Sequence, residues 1–203
     1  MKKIEFPPER HFAFTHEDQI FEVIGVKVRP MYFEEYVEIA MEAVDREKRV
    51  EAQFRRLRIA RQCVLATSNG KDLTLTEMDV GRLPIAVART MLDALPQNDE
   101  KAGVAMEGGD GIQSPILFTL GTPIMATSKG EGVGIDELEF EAKTYGQIED
   151  VIAETQKLRQ TLELLRTVAR PSGLLTMPSW AVSRVTIADG HAIMDKVLPR
   201  FFE

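Results

Sequence analysis

Val80-Gly81-Arg82-Leu83-Pro84-Ile85-Ala86 and Val182-Ser183-Arg184-Val185-Thr186-Ile187-Ala188 share Val, Arg, Ile and Ala at matching places, 102 residues apart. Asp93 is answered by Asp195 at the same spacing, and each copy then closes on Leu-Pro, at Leu95-Pro96 and Leu198-Pro199. Upstream, Tyr32, Ile39 and Ala40 are answered by Tyr145, Ile152 and Ala153, and Leu57 and Arg61 by Leu162 and Arg166. The offset falls from 113 to 105 to 102, as it does when shared elements are joined by loops of different length. Repetition of this kind predicts a duplicated module.

Length and composition suit two small modules. The chain has 203 residues, 44% hydrophobic and 28% charged, which is ordinary globular composition. A net charge of -7 disfavours a general nucleic-acid coat, because phosphates would go unneutralised. Cys63 is the only cysteine, so an intramolecular disulfide and a cysteine-rich zinc site are both excluded, in keeping with a reducing compartment. The first ten residues are charged and broken by Pro7-Pro8, unlike a Sec signal, and no apolar run approaches the length of a membrane span.

The predicted fold class is α+β: two tandem related modules, each a small antiparallel hairpin or sheet packed on two or three helices. The first module is expected over residues 1–96. Phe12 and Phe14, then Phe21, Val23, Val26 and Val28, alternate around the turn Thr15-His16-Glu17-Asp18, which reads as a hairpin with Gly25 as a bulge or second turn. From Met31 to Ala66 there is neither Pro nor Gly, which predicts one long helix, or two with a soft break near Asp45-Arg46-Glu47. Val50, Phe54, Leu57 and Val64 would form its buried stripe, and Asn69-Gly70 would close it. A last helix is expected from Pro84 to Leu95, with Ile85, Ala88, Met91 or Leu92, and Leu95 inward.

Residues 97–134 read as a connector, since eight of the fourteen glycines fall between Gly103 and Gly134. Within it Pro115-Ile116-Leu117-Phe118-Thr119-Leu120 and Pro123-Ile124-Met125 are apolar and β-prone. They could pair as a hairpin across Gly121, add to another sheet, or contact a partner. The second module, residues 135–203, would open with a strand carrying Leu138, Phe140 and Ala142 inward. A helix striped by Ile148, Ile152, Thr155, Leu158, Leu162, Leu165 and Ala169 would follow, stopped by Pro171-Ser172-Gly173. Thr186 and Asp189 are spaced as an N-cap and its acid for the final helix.

Catalytic and cofactor signatures are missing from the sequence. Gly130-Glu131-Gly132-Val133-Gly134 has neither the dinucleotide spacing nor the Gly-Lys-Ser/Thr ending of a phosphate loop, so it reads as a plain loop. His11, His16 and His191 are scattered and read as surface residues, not metal ligands. Cys63 is expected to be a small buried side chain inside a helix, and there is no Gly-x-Ser-x-Gly elbow. No catalytic residue, cofactor or metal is therefore expected. One charge cluster stands out. Arg46 to Arg61 holds seven basic residues against Glu47 and Glu51, a local balance of +5. A solvated helix face, a docking face for an acidic partner, and a nucleic-acid contact are all open for it. Met177 and Trp180 are either core or a partner anchor.

Several of these steps resemble a known family. Val28-Arg29-Pro30-Met31 leading to Phe33-Glu34-Glu35, then Arg61-Gln62-Cys63-Val64, then Leu75-Thr76-Glu77-Met78-Asp79-Val80 and Leu83-Pro84, resemble the tail assembly chaperones of tailed bacteriophages. The order is also similar to the baseplate hub assembly family of T-even-like phages. The resemblance covers roughly residues 20–96, and 135–199 more weakly. In the second copy Lys143-Thr144 replaces Arg29-Pro30, and Val185-Thr186 replaces Leu83-Pro84.

The resemblance implies a non-catalytic morphogenesis protein, either an assembly factor in the host cytoplasm or a small component retained in the tail or baseplate. Its partners would be other tail or baseplate proteins, with neither membrane nor nucleic acid involved. Candidate partner-binding residues are Arg55, Arg56, Arg58, Ile116, Phe118 and Trp180. A nucleic-acid-binding accessory protein, or an enzyme without a recognisable motif, is the alternative.

Overall fold

The hairpin read from Phe12 to Val28 forms, and its turn shows why. Glu17 and Asp18 both adopt positive φ, 48° and 60°, the twist that a two-residue hairpin connection requires. The computed structural model describes residues 1–44, 50–95, 101–106, 114–128, 131–142 and 144–202. The chain divides into two compact units, 1–31 with 38–96, and 32–37 with 97–203.

In the first unit β1 (Lys2–Glu5) and β2 (Phe12–His16) lie antiparallel to the same side of β3 (Gln19–Val28), β1 along its end and β2 along its start. Helices α1 (Phe33–Val44) and α2 (Val50–Gln62) follow, with the first turn of α1 counted in the second unit. The soft break expected at Asp45-Arg46-Glu47 falls outside the described residues. Next come β4 (Cys63–Thr67), antiparallel to β3, and β5 (Asp72–Thr74) on its outer side. Short α3 (Glu77–Arg82) and then α4 (Ile85–Ala94) complete the unit. Gly25 marks a shift of register between β3 and β4, so it is the bulge, and a side chain there would meet the Ile4 carbonyl.

Three expectations are corrected here. The Pro- and Gly-free run does not stay helical to Ala66: Cys63-Val64-Leu65-Ala66-Thr67 is a central strand, with Leu65 fully buried. A short continuous apolar run suits a strand covered on both faces as well as a helix, and sheet pairing decided between them. On α4 and its C-cap, Met91 and Leu95 are buried as expected and Ala88 and Leu92 pack against the core, with Val87 and Ala94 buried beside them, whereas Ile85, expected inward, is 74% exposed. Met91 at full burial fixes that face, and Ile85 lies a quarter turn or more away from it. The N-terminal residues, expected only as a charged, proline-broken lead, supply strand β1.

The second unit corrects the domain division. The described residues of 97–134 do not form a connector. They supply β6 (Val104–Ala105), β7 (Ile116–Ser128) and the start of β8 (Glu131–Phe140) to a sheet of order β6-β7-β8-β9. Of the roles open to the apolar patch, pairing within the chain's own sheet is the one observed. Gly132 to Gly134 lies in β8 and is no loop, while Gly130 falls outside the described residues. The apolar positions Ile116, Phe118, Leu138 and Phe140 are fully buried, which is why the glycine-rich stretch folds at all.

Helices α5 (Tyr145–Ala153) and α6 (Lys157–Thr167) replace the single expected helix. The Glu154 carboxylate between them accepts from the amides of Thr155 and Gln156, at 2.9 and 3.2 Å, capturing donors the helix would need to continue. Ile152 is left 44% exposed. β9 (Ala169–Pro171), short α7 (Ser179–Val182) and α8 (Ile187–Lys196) finish the unit. The Thr186 cap is as expected, its hydroxyl accepting from the Asp189 amide.

The repeat extends to the architecture. β3 and β8 begin at Gln19 and Glu131 and end at Val28 and Phe140, 112 residues apart at both ends. α1 and α5 begin the same distance apart, and α4 and α8 begin at Ile85 and Ile187, 102 apart. Gly70 and Gly173, both at φ near +80°, turn the chain after β4 and β9. β7 does by itself what β1 and β2 do together. Its first part pairs with the end of β8 and its last part with the start, and the register shifts between Thr119 and Ile124.

Candidate functional site

Helix α2 carries the basic face. Its inward residues are Leu57, Ile59 and Gln62, with Phe54 half-buried and Val50 exposed, so the expected stripe is only partly right. Arg55 and Arg56 are exposed, and Arg55 pairs with Glu51 one turn earlier. Arg58 is half-buried. Its Nε donates to Gln62 at 3.0 Å, and its guanidinium lies 5.9 Å from the Phe54 ring centre. The Arg61 guanidinium lies 3.9 Å from Glu42, and its carbonyl accepts from Arg29 Nε at 2.9 Å. Arg55 and Arg56 thus face solvent, while Arg58 is partly engaged in the fold. Arg46, Lys48 and Arg49 lie outside the described residues.

The other candidates separate cleanly. Ile116 and Phe118 are at 0% exposure inside the second unit's sheet, so they are core and offer nothing to a partner. A β-prone apolar segment pairs first with the nearest sheet, and here that sheet belongs to the same chain. Met177 is buried, whereas Trp180 is 38% exposed, with the Arg184 guanidinium 5.8 Å from its ring centre. Leu174 and Leu175 nearby in sequence are also exposed, Leu175 at 94%.

Buried polar groups serve the fold. Asp189 is fully buried; its Oδ1 accepts from the amides of Gly103 and Gly121 at 2.7 and 2.8 Å, and its Oδ2 from the Thr186 hydroxyl at 2.9 Å. One carboxylate therefore ties β6, the β7 bend and the start of α8 together. The sequence marked Asp189 as a capping acid and gave no sign of the two glycine amides. In the first unit Asp79 caps α3 with Thr76 in a reciprocal box. Burial pushes its pKa up, but the Thr76 hydrogen bonds, His16 and Arg82 outweigh this and hold it below the ordinary carboxylate value.

The histidines are half-buried and not the surface residues expected. His16 lies 3.8 Å from Asp79, and His11 contacts the Phe6 carbonyl at 3.1 Å. His191 makes T-shaped contacts with Phe33 and Tyr36, with ring centres 6.1 and 5.3 Å away. Burial lowers its pKa, and Asp195 only partly opposes this. Burial also raises the Cys63 thiol to about 12, against a weaker pull from Arg58, so it is inert as a nucleophile at neutral pH.

Among the described residues there is no cluster of three or more His, Cys, Asp or Glu able to hold a metal, and no helix long and apolar enough to cross a membrane. Family models, curated proteins and solved structures were each compared with the chain, and none matches it.

Proposed function

We propose that this chain is a non-catalytic protein of bacteriophage tail or baseplate morphogenesis. It works through contacts with other tail proteins, as an assembly factor in the host cytoplasm or as a small component that remains in the tail or baseplate. The sequence steps around Arg29-Pro30 and Leu83-Pro84 support the setting. The observation that carries the mode of action is the exposed pair Arg55 and Arg56 on α2, in a chain of net charge -7. Opposed charge of this kind guides encounter with an acidic partner even where each ion pair adds little affinity. Trp180, with exposed Leu174 and Leu175, is the second candidate contact.

Reversal of Arg55 and Arg56 to glutamate tests the mode of action. Arg58 is left alone because its packing on Phe54 would confuse charge with stability. In a phage carrying the double variant, tail assembly should slow and its rate should lose much of its dependence on salt. Wild-type tail yield and rate at low and high salt would remove α2 from the binding surface. Normal tails after deletion of the gene would sink the proposal as a whole.

A further inference from the structure

The repeat exposes a difference between the two units at one place, where the bent strand meets the last helix. In the second unit that place is occupied. Residues 101–106 run antiparallel to β7 in the register Val104↔Thr119 and Ala105↔Phe118, and the Met106 amide donates to the Leu117 carbonyl at 2.8 Å. The segment then passes over Gly121, and the Gly103 amide reaches Asp189 in the first turn of α8.

In the first unit the same place is a cleft of about 290 Å³. It lies between the β1–β2 connection, at Phe6 and Phe12, and the start of α4, at Pro84, Ala86, Val87 and Thr90. Val87 holds the position of Asp189 in the 102-residue spacing, so the floor is apolar where the second unit offers a carboxylate. Beside the cleft β1 is the edge strand of its sheet. Phe6 donates to Ile24 at 2.8 Å, so the alternation of an antiparallel pair turns Ile4 toward β3 and the backbone of Lys3 and Glu5 outward. Lys3 and Glu5 lie 114 residues before Leu117 and Thr119, the residues that face β6.

We propose that this cleft and the outer edge of β1 form a docking groove for an extended segment of a partner protein, which adds to β1 as residues 101–106 add to β7. The partner strand runs antiparallel to β1 and places an apolar side chain in the cleft. Exposed Glu9 and Arg10 both line the cleft, so its rim carries both charges and the apolar floor at Val87 selects the side chain that enters. The internal template is Lys101-Ala102-Gly103-Val104-Ala105-Met106.

A second copy of the chain is the poorer occupant. Its own segment is seated against β7, and Gly103 would leave the cleft unfilled. Main-chain pairing at an open edge supplies affinity in this mode, and the pocket supplies selectivity. The groove is remote in sequence from Arg55, Arg56 and Trp180, and the inference holds whether or not the partner is a tail protein.

The probe is a heptapeptide with the sequence of residues 101–107 carrying Gly103→Leu. A side chain at position 103 would run into Phe118 and the Thr119 carbonyl, so this peptide cannot displace the natural segment from the second unit. Amide exchange of the full chain is measured with and without peptide. At a peptide concentration ten times the dissociation constant, exchange at Lys3 and Glu5 should slow about elevenfold. Val104 and Ala105 should be unchanged. Ala86→Trp, at an exposed position, should fill the cleft and abolish the slowing.

No slowing at millimolar peptide, or slowing that survives Ala86→Trp, would overturn the proposal. Protection of Lys3 and Glu5 that rises with protein concentration alone would make a second copy the occupant and overturn it too. None of these outcomes bears on the tail-assembly proposal, which the Arg55 and Arg56 reversal tests.

Discussion

Replacing Asp189 by alanine should be the most damaging single substitution of a polar residue in the second unit. The carboxylate is fully buried and is the acceptor for the Gly103 and Gly121 amides at 2.7 and 2.8 Å. Alanine removes the one oxygen that accepts from both, while water stays excluded from Gly103, which is itself buried; Gly121 is half-buried. A buried donor left without a partner costs about 1–3 kcal/mol, and the half-buried Gly121 amide adds a smaller amount, so the pair gives roughly 2–4 kcal/mol.

The cap itself adds little to this loss, because the Thr186 hydroxyl would still accept from the backbone amide of residue 189, now at 3.1 Å. The Asp189→Asn variant would keep one oxygen for the two glycine amides but lose the charge assistance and put a donor where Oδ2 accepts from the Thr186 hydroxyl, together about 1–2 kcal/mol. Trp180, the only tryptophan, lies in the second unit, so its fluorescence reports that unit's unfolding in urea. The expected order of midpoints is wild type, then Asp189→Asn, then Asp189→Ala, at unchanged slope. An alanine variant within about 1 kcal/mol of wild type, or an asparagine variant as unstable as the alanine one, would refute the role given to this carboxylate.

Three further outcomes follow from the packing and the titrating groups. Gly190→Ala puts a Cβ into the Phe33 ring and should cost about 1–3 kcal/mol by overpacking, read by the same Trp180 transition; an unchanged midpoint would mean that Phe33 yields freely. Cys63 should resist iodoacetamide in the native protein at pH 7 and react at once in urea, so rapid native labelling would contradict its burial at 1% exposure. His191 has a folded pKa below its unfolded value of about 6.5, so the unfolded chain binds its proton first as pH falls. The contribution of His191 is therefore full above about pH 6.5 and declines below it, and His191→Gln should flatten stability between about pH 7.5 and 5. An equal slope in both proteins would remove His191 as a source of that dependence.

Local chemistry was legible because it spans few residues. The Glu17-Asp18 turn, the Thr186 cap and the start of α4 after Pro84 each depend on neighbours within one turn of chain, and each lies where periodicity and capping put it. Burial and pairing were less legible. Ile116 and Phe118 have the character of either a core strand or a partner contact, and only the presence of β8 beside them makes them core. Arg58 has the same charge as Arg55 and Arg56, yet Phe54 and Gln62 beside it take it partly out of the surface.

By itself the sequence determined the class, the duplication and the order of most elements, because period two, helical stripes and caps are encoded in adjacent residues and persist through a repeat. Tertiary structure alone decided that Cys63 to Thr67 is a strand, that Lys2 to Glu5 forms a sheet edge, and that β6, β7 and the start of β8 belong to the second unit's sheet. Each of these depends on a partner far along the chain, as Val28 does for Cys63 and Phe140 for Ile116. Asp189 shows the reason most plainly. Its place in a cap is set by Thr186 three residues away, but its full burial is set by amides 86 and 68 residues distant, and no local pattern records a contact across that span.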